Sequence, residues 1–419
     1  MTGQTITQKI LAAKAGQERV EVGQFVIAEL DLVMVNDITG PPAFKAFVAT
    51  GAKQVFDPRR VVLVPDHFTP NRDIASAAQC AELKRFAQEQ GTLYYEVGRL
   101  GIAHVLLPEE GLVAPGMLVL GADSHTCTYG GINALGIGVG STDAGAGMAT
   151  GKSWFKVPAS IRVELKGALT GQASAKDVAL KLLSILGVDG ALYQAIELGG
   201  PGLGALSVED RLCVANMTIE AGAKAGIFEA DEQTLEFVRK AGASPDAAVA
   251  PDRGADYSRL IELDLAKVRP LVARPHSPDN VVPADSLSQV KVDQVVIGSC
   301  TNGRLSDLAA AAKILKGRQV AKGVRLIVLP GSQKIWLEAL RLGYLEDLAQ
   351  AGAAIGPPSC GPCLGGHLGI LAEGEVCLST TNRNFQGRMG HPKSQVYLAS
   401  PATAAATAIK GFITSPEEL

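Results

Sequence analysis

Short apolar runs alternate with longer amphipathic stretches along most of the chain. The apolar runs at 60–64, 117–121, 291–298 and 324–330 predict buried strands. Apolar residues at helical spacing predict helices at 5–14, 75–90, 175–186, 306–316 and 333–342. Strands that alternate with helices in this way are typical of mainly parallel sheets covered on both faces. The pattern therefore predicts an α/β protein.

Weaker patterns complete the predicted elements. Residues 24–29, 32–35, 92–97, 160–166, 353–355 and 375–379 are strand-like. Ser207 and Asp210 resemble a capping box for a helix through 213–226, which would place Asn216 and Glu220 on one face. Prolines recur in 245–283, where the apolar periodicity is weak. This segment is therefore predicted to be a linker before a last domain at 284–419.

The composition excludes several classes of protein. Of the 419 residues 47% are hydrophobic, so the chain can bury a core and is not disordered. A net charge of −3 leaves no basic footprint for nucleic acid or for a membrane surface. The first residues do not read as a signal peptide, and seven cysteines are an odd number, so a disulfide framework is not expected. We expect a cytoplasmic protein with reduced thiols.

Three cysteines stand on turn sequences that follow predicted strands: Cys300 in GSCTNG, and Cys360 and Cys363 in SCGPCLGG. At one edge of a sheet they could hold an iron–sulfur cluster and leave one iron open as a Lewis acid. A zinc site that includes His367, a redox pair and a structural role are the alternatives. The other cysteines lie in or beside regular elements and are expected to be small buried hydrophobes, namely Cys80, Cys127, Cys213 and Cys377.

Two Asp/His pairs follow predicted strands, Asp66-His67 and Asp123-His125. Ligands gather at the carboxyl ends of parallel strands, and a carboxylate beside an imidazole sets the tautomer and basicity for proton transfer. Ordinary packing of histidines at loop ends is the alternative. Arg383 and Arg388 follow a later strand and are either solvated or placed to bind carboxylates through their planar donors.

Residues 146–153 (AGMATGKS) fit a relaxed phosphate-loop pattern, which makes nucleotide binding a competing hypothesis. A phosphate loop must leave a buried strand and open a helix. The preceding residues GSTDAG do not predict a strand, and the motif falls within a small-residue helical stretch. The context therefore disfavours nucleotide binding.

Five ordered motifs, GADSHT, ANMTIEAGA, GSCTNGR, CGPCLGGH and TTNRNFQGRMG, together resemble the aconitase superfamily over nearly the whole chain. Within it they are most similar to the large subunits of isopropylmalate dehydratases, and homoaconitase large subunits carry similar motifs. The resemblance implies three α/β/α domains around a central cluster site, which we place at 1–158, 159–283 and 284–419.

The resemblance also implies a [4Fe–4S] cluster held by Cys300, Cys360 and Cys363, whose fourth iron binds a substrate hydroxyl and carboxylate. The expected reaction moves a hydroxyl between adjacent carbons of a malate derivative by dehydration and rehydration, in leucine biosynthesis. By analogy, Asp66-His67 would protonate the leaving hydroxyl. The other implied residues are the pairs His104 with Glu220 and Asp123 with His125, Asn216 and Asn382 around the cluster, and Ser124, Asn36, Arg383 and Arg388 around the substrate.

Two departures from aconitases proper refine this expectation. Aconitases continue into a swivelling domain that supplies the serine base, and this sequence stops at Leu419. A small subunit is therefore expected to carry that domain, in a heterodimer or heterotetramer that binds a small dicarboxylate. Citrate-acting relatives have a glutamine where this chain has Asn36, which disfavours citrate. Homoaconitase or another alkyl-malate dehydratase is the alternative.

Overall fold

The computed structural model describes residues 3–419 and confirms a mixed α/β architecture. The helices are α1 (Ile6–Lys14), α2 (Gly40–Ala49), α3 (Ile74–Gln90), α4 (Ala103–Glu109), α5 (Ser141–Thr150), α6 (Ala175–Leu186), α7 (Val208–Met217), α8 (Glu232–Lys240), α9 (Ser299–Asn302), α10 (Leu305–Leu315), α11 (Gln333–Arg341), α12 (Tyr344–Gln350) and α13 (Pro401–Lys410).

The strands are short and are distributed along the whole chain. They are β1 (Phe25–Glu29), β2 (Leu32–Asn36), β3 (Val61–Val64), β4 (Leu93–Tyr94), β5 (Leu118–Gly121), β6 (Leu135–Gly138), β7 (Lys152–Lys156), β8 (Ser160–Lys166), β9 (Ala195–Gly199), β10 (Ala225–Phe228), β11 (Arg259–Asp264), β12 (Leu271–Ala273), β13 (Val281–Pro283), β14 (Gln294–Ile297), β15 (Arg325–Val328), β16 (Ala353–Ile355), β17 (Val376–Ser379) and β18 (Gln395–Ala399).

The first sheet is parallel throughout, in the order β4-β3-β2-β5-β6. Successive residues of a strand point to opposite faces, and both faces of this sheet are buried. Val33 and Val61 belong to one apolar core, whereas Met34 and Val62 belong to another on the opposite side. The carboxyl ends of β2, β3 and β5 lie at the same edge because the three strands are parallel and paired in register.

Two further sheets follow along the chain. The parallel sheet β10-β9-β8-β11 comes from the middle of the chain. The C-terminal sheet has the order β13-β12-β18-β17-β14-β15-β16, in which only the pairings of β12 are antiparallel. Sheets are therefore mainly parallel, as predicted. In addition, β1 and β7 form a separate antiparallel ribbon.

The predicted linker at 245–283 is wrong. Strand β11 pairs with β8 in the middle sheet, while β12 pairs with β18 in the C-terminal sheet. Proline lacks an N–H group and is tolerated at the ends of strands and at sheet edges, and Pro283 ends the edge strand β13. Division of the chain at 158 and 283 stays a prediction, although two strands before 283 belong to the C-terminal sheet.

The predicted helix through 213–226 is too long. Helix α7 ends at Met217, and a 3₁₀ turn at Thr218–Ala221 follows. Gly222 has a φ of 81°, in the left-handed region that commonly terminates helices. The chain then enters β10, so Asn216 lies on the helix and Glu220 on the 3₁₀ turn.

The phosphate-loop hypothesis is also wrong. Helix α5 ends inside the motif, Gly151 caps it with a φ of 67°, and Lys152 begins β7. The motif thus connects a helix to a strand, which is the reverse of the order that phosphate binding requires.

In residues 3–419 no helix combines the length and apolar character needed to cross a bilayer.

Candidate active site

The three turn cysteines meet in one small buried cavity. Cys300 lies on α9, directly after β14, and Cys363 lies on a 3₁₀ turn that begins one residue after Cys360. All three side chains are buried and line the same cavity. Burial raises the pKa of Cys300, and the nearby sulfurs of Cys360 and Cys363 raise it further. The predicted convergence at a sheet edge is confirmed.

The backbone before Cys300 needs glycine. Gly298 has a φ of 153°, and a Cβ atom there would lie 2.6 Å from the carbonyl oxygen of Leu329. Arg304 then holds the turn from the other side, because its Nη1 donates to the carbonyl oxygens of Cys300 and Thr301, both at 2.9 Å. These contacts fix the direction in which the Cys300 sulfur points.

Two asparagine amides contact the cysteine sulfurs. Nδ2 of Asn216 lies 3.2 Å from Sγ of Cys300, and Nδ2 of Asn382 lies 3.4 Å from the same sulfur. Oδ1 of Asn382 is 3.4 Å from Sγ of Cys363. N–H donors directed at thiolate sulfur are one of the means by which proteins tune iron–sulfur clusters. Both side chains thus lie beside a cysteine sulfur, and their role around a cluster stays a prediction.

Asp66 and His67 form a close pair beside these thiols. Nδ1 of His67 is 2.6 Å from Oδ1 of Asp66, whose Oδ2 accepts a hydrogen bond from the Ala103 backbone N–H at 2.7 Å. Burial lowers the pKa of His67, but the charges of Cys360 and Asp66 outweigh it and hold that pKa well above the usual value. The Asp66 carboxylate therefore fixes the imidazole ring in place.

One of the other two predicted pairs is wrong. His104, on α4, places Nε2 3.1 Å from Oδ1 of Asp123, whereas Nε2 of His125 lies 2.9 Å from Oε1 of Glu220. The predicted pairing of His104 with Glu220 is therefore wrong, whereas the predicted pairing of Asp123 with His125 is present as a longer contact. Asp123 caps the 3₁₀ turn that begins at Ser124 by accepting from the backbone N–H of His125 at 2.8 Å, while the Nδ1 atom of that ring stays 3.7 Å away.

Charges in this network are well matched. Burial raises the pKa of Asp123, but His104, His125 and His67 outweigh it and hold that pKa well below its usual value. Burial likewise opposes ionisation of Glu220, yet His125 and Arg383 lower its pKa. The carboxylates are therefore ionised and are paired with imidazole or guanidinium groups.

The two predicted arginines have different surroundings. Nε of Arg383 donates to Glu220 at 2.8 Å. Arg388 lines the cavity, and its buried Nε has no hydrogen-bond partner within the described part of the chain. A buried, unpaired guanidinium nitrogen is costly unless a ligand completes it.

Ser124 and Asn36 lie at the margin of the site. Ser124 lines the cavity and also a neighbouring cleft of about 400 Å³. Nδ2 of Asn36 donates to Asp123 at 3.3 Å, and its Oδ1 accepts from the backbone N–H groups of Ile38 and Thr39. The Asn36 amide is thus engaged within the chain, and the predicted contacts of Ser124 and Asn36 with substrate stay predictions.

Sequence reasoning missed several residues that hold this arrangement. Asp37 accepts from the backbone N–H groups of His67 and Phe68, at 3.0 and 2.8 Å. Its position at the end of a strand, like that of Asp66, was an available signal. Tyr129 is fully buried with its hydroxyl 3.2 Å from Nδ1 of His104, and no sequence pattern indicated it.

The zinc alternative relied on His367 as a fourth ligand, and the structure disfavours that role. Nε2 of His367 lies 3.0 Å from the carbonyl oxygen of His67 and 3.1 Å from Oγ of Ser359, so hydrogen bonds engage that nitrogen. Three buried thiols line the cavity, two amide donors reach the sulfur of Cys300, and among residues 3–419 no fourth cysteine lines the cavity, which fits a cluster held by three protein ligands. The donor set therefore suits an iron–sulfur group.

Parallel strands that bring buried thiols, carboxylate–imidazole pairs and arginines to one place define an enzyme site of the metal-cluster class. The chain matches the Aconitase family (aconitate hydratase) over residues 8–289 and 283–411. It belongs to the aconitase family, whose members bind an iron–sulfur cluster. The holo-form of aconitase X from Thermococcus kodakaraensis shares the fold, with a TM-score of 0.50 and 16% identity over 90% of this chain and 89% of that one.

Curated relatives cover the whole chain. The 3-isopropylmalate dehydratase large subunit of Caldicellulosiruptor bescii is 55% identical over 99% of this chain and 97% of its own length. That of Acetivibrio thermocellus is 53% identical over 100% of both. The 2,3-dimethylmalate dehydratase large subunit of Eubacterium barkeri is also 53% identical over 100% of both.

Proposed function

We propose that the chain is the large subunit of a hydro-lyase that interconverts 2-isopropylmalate and 3-isopropylmalate in leucine biosynthesis. Relatives with this function are 53–55% identical over the full length of the chain. The observation that carries the proposal is the single cavity lined by Cys300, Cys360 and Cys363 together with the Asp66–His67 pair and Arg388.

We propose further that Cys300, Cys360 and Cys363 hold a [4Fe–4S] cluster, one per chain, with one iron that lacks a protein ligand. When bound, the cluster supplies a Lewis acid that polarises the substrate hydroxyl and carboxylate. The support for this assignment is the burial of all three thiols around one cavity and the amide donors from Asn216 and Asn382.

The remaining side chains would handle protons and substrate charge. Dehydration breaks a C–O bond at one carbon and a C–H bond at the next, so it needs a proton donor and a base. His67, held by Asp66, would donate the proton to the departing hydroxyl and recover it during rehydration. Arg388, whose Nε has no partner in residues 3–419, and Arg383, which bonds Glu220 only through Nε, would bind the substrate carboxylates.

The base would come from a small subunit that carries the swivelling domain. The relatives named above are called large subunits, and this chain spans their full length. A heterodimer or a heterotetramer would satisfy this requirement.

A second candidate substrate, which differs in its alkyl group, is 2,3-dimethylmalate, since the Eubacterium barkeri relative is nearly as similar.

The proposal is tested by anaerobic assay of the chain with a purified 3-isopropylmalate dehydratase small subunit. We expect turnover of 3-isopropylmalate by the pair, little with 2,3-dimethylmalate or homoisocitrate, and none by the chain alone. Turnover of either of the other two acids without turnover of 3-isopropylmalate would contradict the assignment.

A further inference from the structure

A fully buried lysine lies behind the turns that carry the site. Lys176 is the second residue of α6, and its side chain is 0% exposed. Its Nζ donates to the carbonyl oxygens of Thr380 and Thr381, at 2.8 and 2.6 Å. These two residues directly precede Asn382. The proposed chemistry does not use Lys176, so its burial needs another explanation.

The position of Lys176 is unfavourable for a cation. An ammonium group loses its hydration when it is buried, and the N-terminus of a helix is the positive end of the helix dipole. The two carbonyl oxygens accept from two of its three N–H donors but carry no net charge. The adjacent Asp177 directs its carboxylate at the backbone N–H groups of Ser174 and Leu271 instead. A further negative charge is therefore expected nearby.

Four groups partly offset the effect of burial on the pKa of Lys176. Burial lowers the pKa of Lys176, while Cys213, Asp307, Cys363 and Cys300 raise it. Burial also raises the pKa of Cys213 to about 12 and that of Asp307 to about 7, which limits the negative charge that they carry at neutral pH. The remaining two, Cys300 and Cys363, are anionic thiolates when they ligate a cluster.

The same lysine connects two loops of the site. Thr380, whose carbonyl oxygen binds Nζ, donates through Oγ1 to the carbonyl oxygen of Gly298 and accepts from the Gly298 N–H, both at 2.9 Å. Gly298 directly precedes the turn that carries Cys300. One buried ammonium group therefore holds the Asn382 turn, which is in turn bonded to the Cys300 turn.

We propose that Lys176 is the buried counter-cation of the iron–sulfur cluster and the positioning residue for the turn that carries Asn382 and Arg383. This inference rests on the proposed cluster. It accounts for both the burial of the charge and its two carbonyl partners. A nearby cation favours addition of an electron to a cluster, so removing it makes the reduction potential more negative.

The test compares Lys176→Gln, which keeps donors but loses the charge, with Lys176→Met, which loses both. Lys181→Met, an exposed lysine on the same helix, is the control. The midpoint potential of the loaded chain and the melting temperatures with and without cluster are measured anaerobically. We expect a more negative potential in both neutral variants and a smaller gain in melting temperature on cluster loading. With the small subunit, kcat should fall about 10- to 100-fold.

The control should match wild type in all three measurements. If both neutral variants keep the wild-type reduction potential and the wild-type gain in melting temperature on cluster loading, Lys176 only fills space and the inference is wrong. Failure of Lys176→Gln, which keeps donors, to fold without cluster would also overturn it, because the charge itself should be a cost in cluster-free protein. A wild-type chain that binds no iron and sulfide would instead contradict the proposed function itself.

Discussion

Glu220 joins two functional side chains that are distant in sequence. Its carboxylate contacts Nε2 of His125 at 2.9 Å and Nε of Arg383 at 2.8 Å, and the residue is 4% exposed. Removing one partner of a buried charge pair leaves the other charge uncompensated. Glu220 is therefore expected to contribute strongly to the stability of the site.

We expect Glu220→Gln to lower the free energy of unfolding of the cluster-free chain by about 3 kcal/mol. The matched control is Glu232→Gln, which also removes a glutamate from an arginine, but at an exposed pair with Arg239. That change should cost no more than about 0.5 kcal/mol. Urea unfolding of the three proteins measures both values, and equal losses would show that burial of the Glu220 pair is unimportant.

Single residues of the site and the Asp66–His67 pair could be found from sequence, but the partners of His104 and Glu220 could not. The motifs predicted most of the residues that line the cavity. Proximity in sequence suggested that Asp123 pairs with the His125 ring, and its carboxylate lies 3.7 Å from Nδ1 of that ring and also caps the backbone N–H of His125. The imidazole that reaches Asp123 comes from His104 on a separate helix, and such contacts depend on tertiary packing.

At the level of elements, sequence patterns predicted the long amphipathic helices and many of the strands but missed others, among them β9, β11 and β12. Buried strands such as β3 and amphipathic helices such as α6 have enough residues to show a repeat. Strands β12 and β13 have three residues each, and prolines surround them, so no period of two can be recognised. Pairing with β18 makes β12 a strand, which is a non-local effect.

Helix α4 ends at Glu109, and the folded structure disfavours the charged form of this carboxylate. Burial raises the pKa of Glu109 to about 7, and its Oε2 accepts from Oγ of Ser332 at 2.6 Å. A negative charge at a helix C-terminus is also opposed by the helix dipole. The pKa of Glu109 is higher in the folded than in the unfolded chain. The contribution of Glu109 to the stability of the fold is therefore highest below about pH 4.5 and falls as the pH rises through about 7.

Glutamine at position 109 keeps an acceptor for Ser332 without the charge. We expect Glu109→Gln to raise the free energy of unfolding by about 1 kcal/mol at pH 8.5, after allowance for the partial exposure of the side chain, and to change little at pH 5. Glu110→Gln, at the exposed next position, is the control. Equal effects of Glu109→Gln at both pH values would refute the raised pKa.

At the scale of the whole molecule, two sheets bring their strand ends to one cavity. Strands β3 and β5 of the first sheet end at Asp66-His67 and Asp123, while β14, β16 and β17 of the C-terminal sheet end before the cysteine and arginine turns. Parallel strands predict that residues after neighbouring strands meet. The sequence could not predict how the two sheets face each other, because apolar packing between distant segments determines it.

The central claim is that Cys300, Cys360 and Cys363 together hold an iron–sulfur cluster. Its most direct test is the iron, sulfide and zinc content of chain purified without oxygen, for wild type, for Cys→Ser at each of these positions, and for Cys80→Ser, a buried cysteine outside the cavity. We expect about four iron and four sulfide per chain in wild type and Cys80→Ser, and a loss of most of both in the other three variants. Stoichiometric zinc without sulfide, or a full cluster in Cys360→Ser, would contradict the claim.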